Sequence, residues 1–400
     1  MRRYGSAAVI SAFGDGFSYL AVPLIAAGQL GAGPRELGWL TALAWLPQAV
    51  FSLPAGSWVA RRGRPIATLV VADLARAALM ILVAIAAVTG SLTLTILYLA
   101  TFCSATAAVF FSVSDAAVLP ALAKNDRFAR SLAIMQANRT VGGAVGTTLG
   151  GLVIRYASAP LAVLIDAVSF VVSATALRGV HLPSATAKTS TSSLRLSEGL
   201  RCLWRTRPLR TALAVTTTSN FFHLGFHALI VLYATQILGL SAGTLGLVIS
   251  TDTIGVLAAS ALAPALLERF GNRVGLAAGN IIFACPLLLV AAATGPVMVA
   301  AGILSSGFGG CLQNISVGST FAVSVPPHLR SAVRGAYQSI SFGVRPLGAL
   351  AAGLAGTWVG LRPAVWATVI GGILAVLWMV IPAPAATVRA GGETSDASAS

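Results

Sequence analysis

The sequence predicts an all-α membrane protein of about twelve transmembrane helices, arranged as two six-helix pseudo-symmetric bundles with both termini cytoplasmic. Composition, the placement of charge and an internal repeat carry this prediction. Of 400 residues, 56% are apolar and only 9% are charged, against about 25% charged in soluble domains. No water-soluble core hides that much apolar surface. A helix crosses the hydrocarbon core with roughly 20 residues, and the chain repeatedly runs that far without a charge. One such stretch is 81–113, interrupted only by Thr89-Gly90-Ser91.

The net charge of +15 would suggest nucleic acid in a soluble protein. Here the basic residues fall in alternate loops. Arg61, Arg62 and Arg64 follow the second span, Lys124, Arg127 and Arg130 the fourth, and the arginines of 178–210 the sixth. Arg269 and Arg273 follow the eighth span, and Arg330 and Arg334 the tenth. The intervening loops hold little beyond Arg35 beside Glu36, Arg155 and Arg362. This is the positive-inside pattern. The charge therefore sets topology, predicts a multi-pass inner-membrane protein, and argues against a nucleic-acid partner.

Taken in order, the predicted spans are 4–30, 36–60, 66–89, 92–120, 128–156 and 159–178, then 209–238, 241–267, 272–294, 295–324, 330–357 and 361–383. The first continues to Leu30 without an Ala-x-Ala exit, so it reads as a retained helix and not a removed signal. The domain reading is a first bundle over 1–178, a cytoplasmic linker over 179–207, a second bundle over 208–383 and a disordered polar tail over 384–400. Within the linker, Leu196, Leu200, Leu203 and Trp204 share one helical face flanked by Arg195, Arg201, Arg205 and Arg207. That pattern fits either a helix on an anionic leaflet or a solvated connector.

Shifting the first half by 208 residues brings Ala55, Arg61 and Gly63 onto Ala263, Arg269 and Gly271. Further along the predicted shift is 206. Pro120 and Lys124 then meet Pro326 and Arg330, while Arg139, Gly142 and Gly150 meet Arg345, Gly348 and Gly356. Two halves of the same sense imply a pseudo-two-fold axis along the membrane normal, with a site between halves that rock.

Several segments carry a family resemblance: Gly14-Asp15-Gly16, the run from Gly56-Ser57-Trp58 through Arg61-Arg62-Gly63-Arg64, Asp73-Leu74-Ala75-Arg76, Asp166-Ala167-Val168-Ser169-Phe170 and Glu198-Gly199-Leu200-Arg201. Through these the chain resembles the major facilitator superfamily over nearly its whole length, and in particular the drug:proton antiporter branch that includes macrolide and siderophore exporters. The loop after the second span departs from the family pattern, with Ala60 where an aspartate is usual and Pro65 where a second basic residue is common. The resemblance also implies an antiporter motif at Gly146-Thr147-Thr148-Leu149-Gly150-Gly151, here without its proline.

Physically, Gly56 would allow close helix approach, Gly63 would turn the chain, and Arg61 and Arg64 would latch onto a carboxylate such as Asp115. Alternatively, those arginines only enforce topology. Gly142, Gly146, Gly150 and Gly151 form a small-residue stripe where backbones can touch. Ionisable residues inside spans are costly, at about 2.5–3.5 kcal/mol each on insertion scales, and so point to mechanism. Asp15 and Asp252 are candidate proton-coupling acids, or else structural. Asp73 and Arg76, spaced i,i+3, read as a local ion pair. Asp166 reads as the cap of a buried network. Arg139 and Arg345 are expected at equal depth in the two halves, one of them a partner for Asp15.

His223, the repeat counterpart of Asp15, and His227 are expected to line a polar cavity, with Phe17 and Phe222 as apolar cavity candidates. These two belong to a wider aromatic set of Phe13, Tyr19, Trp45, Phe110, Phe221 and Phe226 that could equally face lipid or neighbouring helices. Cys103, Cys202, Cys285 and Cys311 show no ligand spacing, so neither metal nor disulfide is indicated. No Walker-type motif is present, so no cofactor is expected and energy must come from a gradient. The expected partners are a small-molecule substrate, protons and the lipid bilayer, with the chain a monomer. The readings in competition are proton-coupled export of a lipophilic or amphipathic compound, uptake or lipid flipping on the same fold, and a non-transporting receptor or assembly factor. No nucleophile–base set suggests an enzyme.

Overall fold

The computed structural model describes residues 2–122, 128–180, 193–326 and 329–380. Lys124, Arg127, the linker stretch 181–192 and the predicted tail 384–400 lie outside the described residues, as do the side chains of Arg130, Arg195, Leu196 and Arg330.

The first half comprises α1 (Arg2–Gln29), α2 (Pro34–Arg62), α3 (Pro65–Val88), α4 (Leu94–Leu122), α5 (Phe128–Tyr156) and α6 (Ala159–Arg178). A short α7 (Ser193–Arg205) precedes the second half. That half comprises α8 (Arg207–Leu232, continued by a π-helical turn Tyr233–Ile237), α9 (Ala242–Phe270), α10 (Asn272–Ala284) with α11 (Leu287–Ala291), α12 (Pro296–Ser324), α13 (Arg330–Gly343) with α14 (Arg345–Trp358), and α15 (Leu361–Val380). Counting α10–α11 and α13–α14 as one interrupted pass each gives twelve passes, and the described residues hold no strand.

Local signals explain the ends. Pro34 opens α2, and Glu36 Oε2 accepts from the Gly33 N–H at 2.9 Å. Gly63 closes the same helix at φ +61, a conformation that costs a side chain but not glycine. Ser158 caps α6 by accepting from the Leu161 N–H, and Ser241 caps α9 by accepting from the Thr244 N–H. Pro286 and Pro346 stand at the interruptions of the ninth and eleventh passes, where each removes a helical donor.

By length and composition, seven helices among the described residues can cross a membrane. The passes outside that set include α2, α5, α8 and α13–α14, which carry Gln48, Arg139, Asn220 and Arg345. Of these, Arg139, Asn220 and Arg345 border the cavity and hydrogen-bond within the protein, as suits polar groups inside a membrane.

The repeat is real, but its register differs from expectation. The carbonyl of Phe13 meets Gly146, and the carbonyl of Phe221 meets Gly348. Helices α4, α5 and α6 and their partners α12, α13–α14 and α15 therefore correspond at an offset of 202, as the ends Tyr156 and Trp358 also require. The predicted 206 is one helical turn out. Arg345 thus superposes on Gly143, not on Arg139.

The halves meet through small residues at one end. A Cβ on Gly38 of α2 would lie 2.9 Å from both Gly353 Cα and Ala349 O of α14. A Cβ on Gly151 of α5 would lie 2.5 Å from Ala242 O and 3.1 Å from Gly246 Cα of α9. Both contacts lie near the ends of helices joined by the short, sparsely charged loops. Apolar side chains complete the seal: Leu20 of α1 packs with Leu229 and Ile230 of α8, and Leu232 with Phe17 and Ile25.

Helix α7 turns part of its apolar face to the second half. Leu203 is fully buried with Leu209, Val333 and Tyr337, and Gly199 comes against the backbone of Ala332 on α13. Leu200 and Leu203 of that face pack on the second half, while Trp204 stays exposed with Arg201 and Arg205.

Candidate functional site: a cavity divided on the pseudo-two-fold axis

Between the halves lies a cavity in two lobes, one of about 560 Å³ and one of about 390 Å³. Asp15, Tyr19, His223 and His227 line both. The Tyr19 hydroxyl and His227 Nδ1 are hydrogen-bonded at 2.9 Å. These two residues are repeat counterparts at the 208 offset that relates α1 to α8, so the bond lies on the pseudo-two-fold axis. Trp45, Arg76, Asp166, Asn220 and Arg345 line the larger lobe. Arg139, Asp252, Thr253 and Ser306 line the smaller.

Charge in the first half is organised around two arginines. Arg76 of α3 forms an ion pair with Asp15 of α1, and its guanidinium lies 4.0 Å from the centre of the Phe170 ring. Asp15 remains 46% exposed, whereas Arg76 is 12% exposed. Asp166 on α6 accepts from the Ser18 hydroxyl and is almost fully buried. Asp73 is wholly buried beside Ser173, and neither carboxylate oxygen has a hydrogen-bond partner among the described residues. The i,i+3 spacing of Asp73 and Arg76 therefore does not produce the expected local pair. Arg76 reaches away to α1, the helix that carries Asp15.

The second arginine, Arg139 of α5, grips Asp115 of α4 through both terminal nitrogens, at 2.8 and 2.6 Å, and the Tyr4 hydroxyl donates to the same carboxylate. This satisfies Asp115 within the first half. Asp15 is paired with Arg76, not with Arg139 or Arg345 as expected.

The second half is different. Arg345 donates to Asn220 Oδ1 at 2.9 Å, and its guanidinium sits 4.4 Å from the centre of the Trp45 ring and 4.3 Å from that of Phe342. Among the described residues no carboxylate lies within 4.0 Å of it. The His223 ring lies against those of His227, with centroids 4.4 Å apart and planes tilted by 60°, and Phe283, at 4.3 Å. Asp252 opens on the smaller lobe, with Gly307 against it.

The comparisons give this geometry a setting. The family model described as Major Facilitator Superfamily matches residues 5–241 and again 213–399. The chain belongs to the major facilitator superfamily. Solved structures agree on the fold. The nucleoside transporter NupG aligns with a TM-score of 0.78 at 13% identity, covering 94% of this chain and 97% of that one. A bacterial homolog of the human lysosomal transporter Spinster aligns with a TM-score of 0.72 at 14% identity, covering 94% and 95%. No curated protein sequence matches.

Within this facilitator fold, other expected site residues take different places. Gly63 turns the chain after α2, but Arg61 and Arg64 are exposed, and no carboxylate lies within 4.0 Å of either among the described residues. Asp115 cannot serve them while Arg139 holds it. A methyl on Gly56 would sit 4.0 Å from Val113, an ordinary contact, so close helix approach is not what requires glycine there. The glycine stripe works on two fronts. Gly142, Gly146 and Gly150 pack on α1, at Val9, Phe13 and Phe17, whereas Gly151 packs across the halves on α9. Phe17 is buried against Phe13 and Gly150, and Phe222 packs on Gly371 and Gly372, so neither lines the two central lobes. Tyr19 and Trp45, two of the aromatic candidates, do line the cavity, and Asn220, Thr253 and Ser306 are among the lining residues that the sequence reading did not single out. The pairing of Tyr19 with His227 was findable too, because the offset that pairs Asp15 with His223 also pairs these two.

Proposed function

We propose that this membrane transporter of the major facilitator superfamily exports a lipophilic or amphipathic small molecule across the inner membrane in exchange for protons. The observation that carries the reading is Asp15, the exposed carboxylate common to both lobes and ion-paired to the buried Arg76. Arg76 also feels the fields of Asp73 and Asp166, so one guanidinium faces three carboxylates. A proton arriving at Asp15 would release Arg76 toward the other two. Loss of that proton to water on the opposite side would restore the pair. Such a switch links the occupancy of one site to the arrangement of α1, α3 and α6, which is what coupling a proton to alternating access requires.

The orientation reading supplies one of the two states that alternating access needs, whichever way the substrate moves. With the basic loops in the cytoplasm, the glycine-lined seal lies at the outer end, and the cavity is loaded from inside.

The test is flux of a fluorescent amphiphile in proteoliposomes under an imposed pH gradient. Asp15→Asn should keep the fold and substrate binding and lose pH-driven flux. Unchanged pH-driven flux in that variant would remove Asp15 from coupling and turn attention to Asp252. Flux in the opposite direction would mean uptake.

A further inference from the structure

We infer that the larger lobe takes an amphipathic organic anion, with Arg345 as its anion-binding residue. This rests on the transport reading of the same cavity and adds the charge of the substrate.

Three deep arginines border the cavity, and they are not equivalent. Arg76 and Arg139 are each matched by a carboxylate. Arg345 is matched by none within 4.0 Å among the described residues. An arginine inside a span is costly unless paired or hydrated, and pseudo-symmetry does not require this one, because Gly143 holds the corresponding place in the first half.

The guanidinium is nevertheless held firmly. Trp45 and Phe342 cover it, and one hydrogen bond to Asn220 fixes it in turn, since Asn220 Nδ2 donates to Ser341 O at 3.0 Å. A guanidinium carries five N–H donors, and a single hydrogen bond from it is recorded among the described residues. The remainder suit the fork geometry of a carboxylate, sulfonate or phosphate.

The rest of the lobe is apolar in large part, with Val22, Leu40, Ala44 and Met80 in its wall. Its volume of about 560 Å³ is in the range that holds a drug-sized molecule. An acidic head on Arg345 and a hydrocarbon body along α2 would fill it. The carboxylates of the first half stand around Arg76, so the anion would meet its cation at Arg345 and not there.

The experiment uses the purified full chain in neutral detergent and three matched probes: naphthaleneacetate, its uncharged amide, and naphthylmethylammonium. Calorimetric affinities should rank the anion about tenfold or more above the amide, with the cation weakest. Arg345→Gln should lower the anion's affinity far more than the amide's and so erase the gap between them. Asn220→Asp keeps the arginine but supplies the missing counter-ion, and it should erase the same gap, which guards against misfolding of the first variant. Equal affinities for anion and amide in the parent, or an undiminished gap in folded Asn220→Asp, would overturn the assignment. Because binding is measured without a gradient, failure here leaves proton-driven export standing, and failure of export in vesicles leaves the charge ranking standing.

Discussion

Superposing the two halves at their observed offsets sets charged residues of the first against neutral residues of the second. Asp15 corresponds to His223 at the 208 offset. With α3 laid on α10 from their first residues, Pro65 and Asn272, an offset of 207, Arg76 corresponds to Phe283, so the ion pair Asp15–Arg76 is matched by the ring contact His223–Phe283. The fully buried Asp73 corresponds to the fully buried Asn280, which accepts from Ser219 at 3.2 Å. Asp166 corresponds to Thr368, and the pair Asp115 and Arg139 to Val317 and Ser341. One scaffold thus tolerates either an ionic or a neutral interior at the same positions. What differs is where the charge stands. The first half sets its arginines against carboxylates, and the second holds a cation, Arg345, without one, alongside His223, His227 and Asp252 on the cavity wall.

The largest effect that could break this contrast is on stability. Arg139→Ala should destabilise the protein by about 3–5 kcal/mol, because Asp115 would be left charged and largely buried without its partner. Installing the residues of the second half instead, as Asp115→Val with Arg139→Ser, should recover most of that loss in thermal unfolding. If the double variant is no better than the single one, the ionic interior is structurally required and the halves are not interchangeable.

The symmetric contacts should respond alike. Gly146→Ala and Gly348→Ala each force a methyl into a phenylalanine carbonyl of the neighbouring helix, so both should cost about 1–3 kcal/mol. A large inequality between them would contradict the 202 offset. Arg61→Ala should leave stability within about 0.5 kcal/mol, as for most exposed sites, and flux measurements on the same variant would show whether that loop acts beyond topology. Tyr19→Phe removes one cavity-facing hydrogen bond and should change stability by about 1 kcal/mol or less. Its flux in both directions would report whether the axial bond favours one state.

The twelve passes were legible because hydropathy and basic loops are properties of whole segments. The interruptions were less so: Pro286 and Pro346 sat in plain view inside predicted continuous spans, yet a proline in a membrane helix can be accommodated without a break. The register error has a geometric cause. Glycines repeat every four residues on α5, so a slide of one turn keeps Gly142, Gly146 and Gly150 on the same face and still finds matches in α14. The opposing carbonyls of Phe13 and Phe221, together with the helix ends Tyr156 and Trp358, distinguish the two registers. Charge pairing was beyond the sequence for a related reason. Asp73 and Arg76 share a face of α3, but which reaches α6 and which reaches α1 depends on the packing of three helices.

The hydrogen bond between Tyr19 and His227 has a kinematic consequence. When two rigid bodies rock against each other, displacement grows with distance from the pivot, and a contact between counterparts at the centre travels least. The bond can then act as a fulcrum, kept in both states while the cavity changes the side on which it opens. Labels on positions 19 and 227 should hold one separation through the transport cycle, while labels on positions 38 and 353, at the glycine seal, should part. A fulcrum that is also a hydrogen bond between a phenol and an imidazole would place the mechanical centre of the transporter in contact with its substrate.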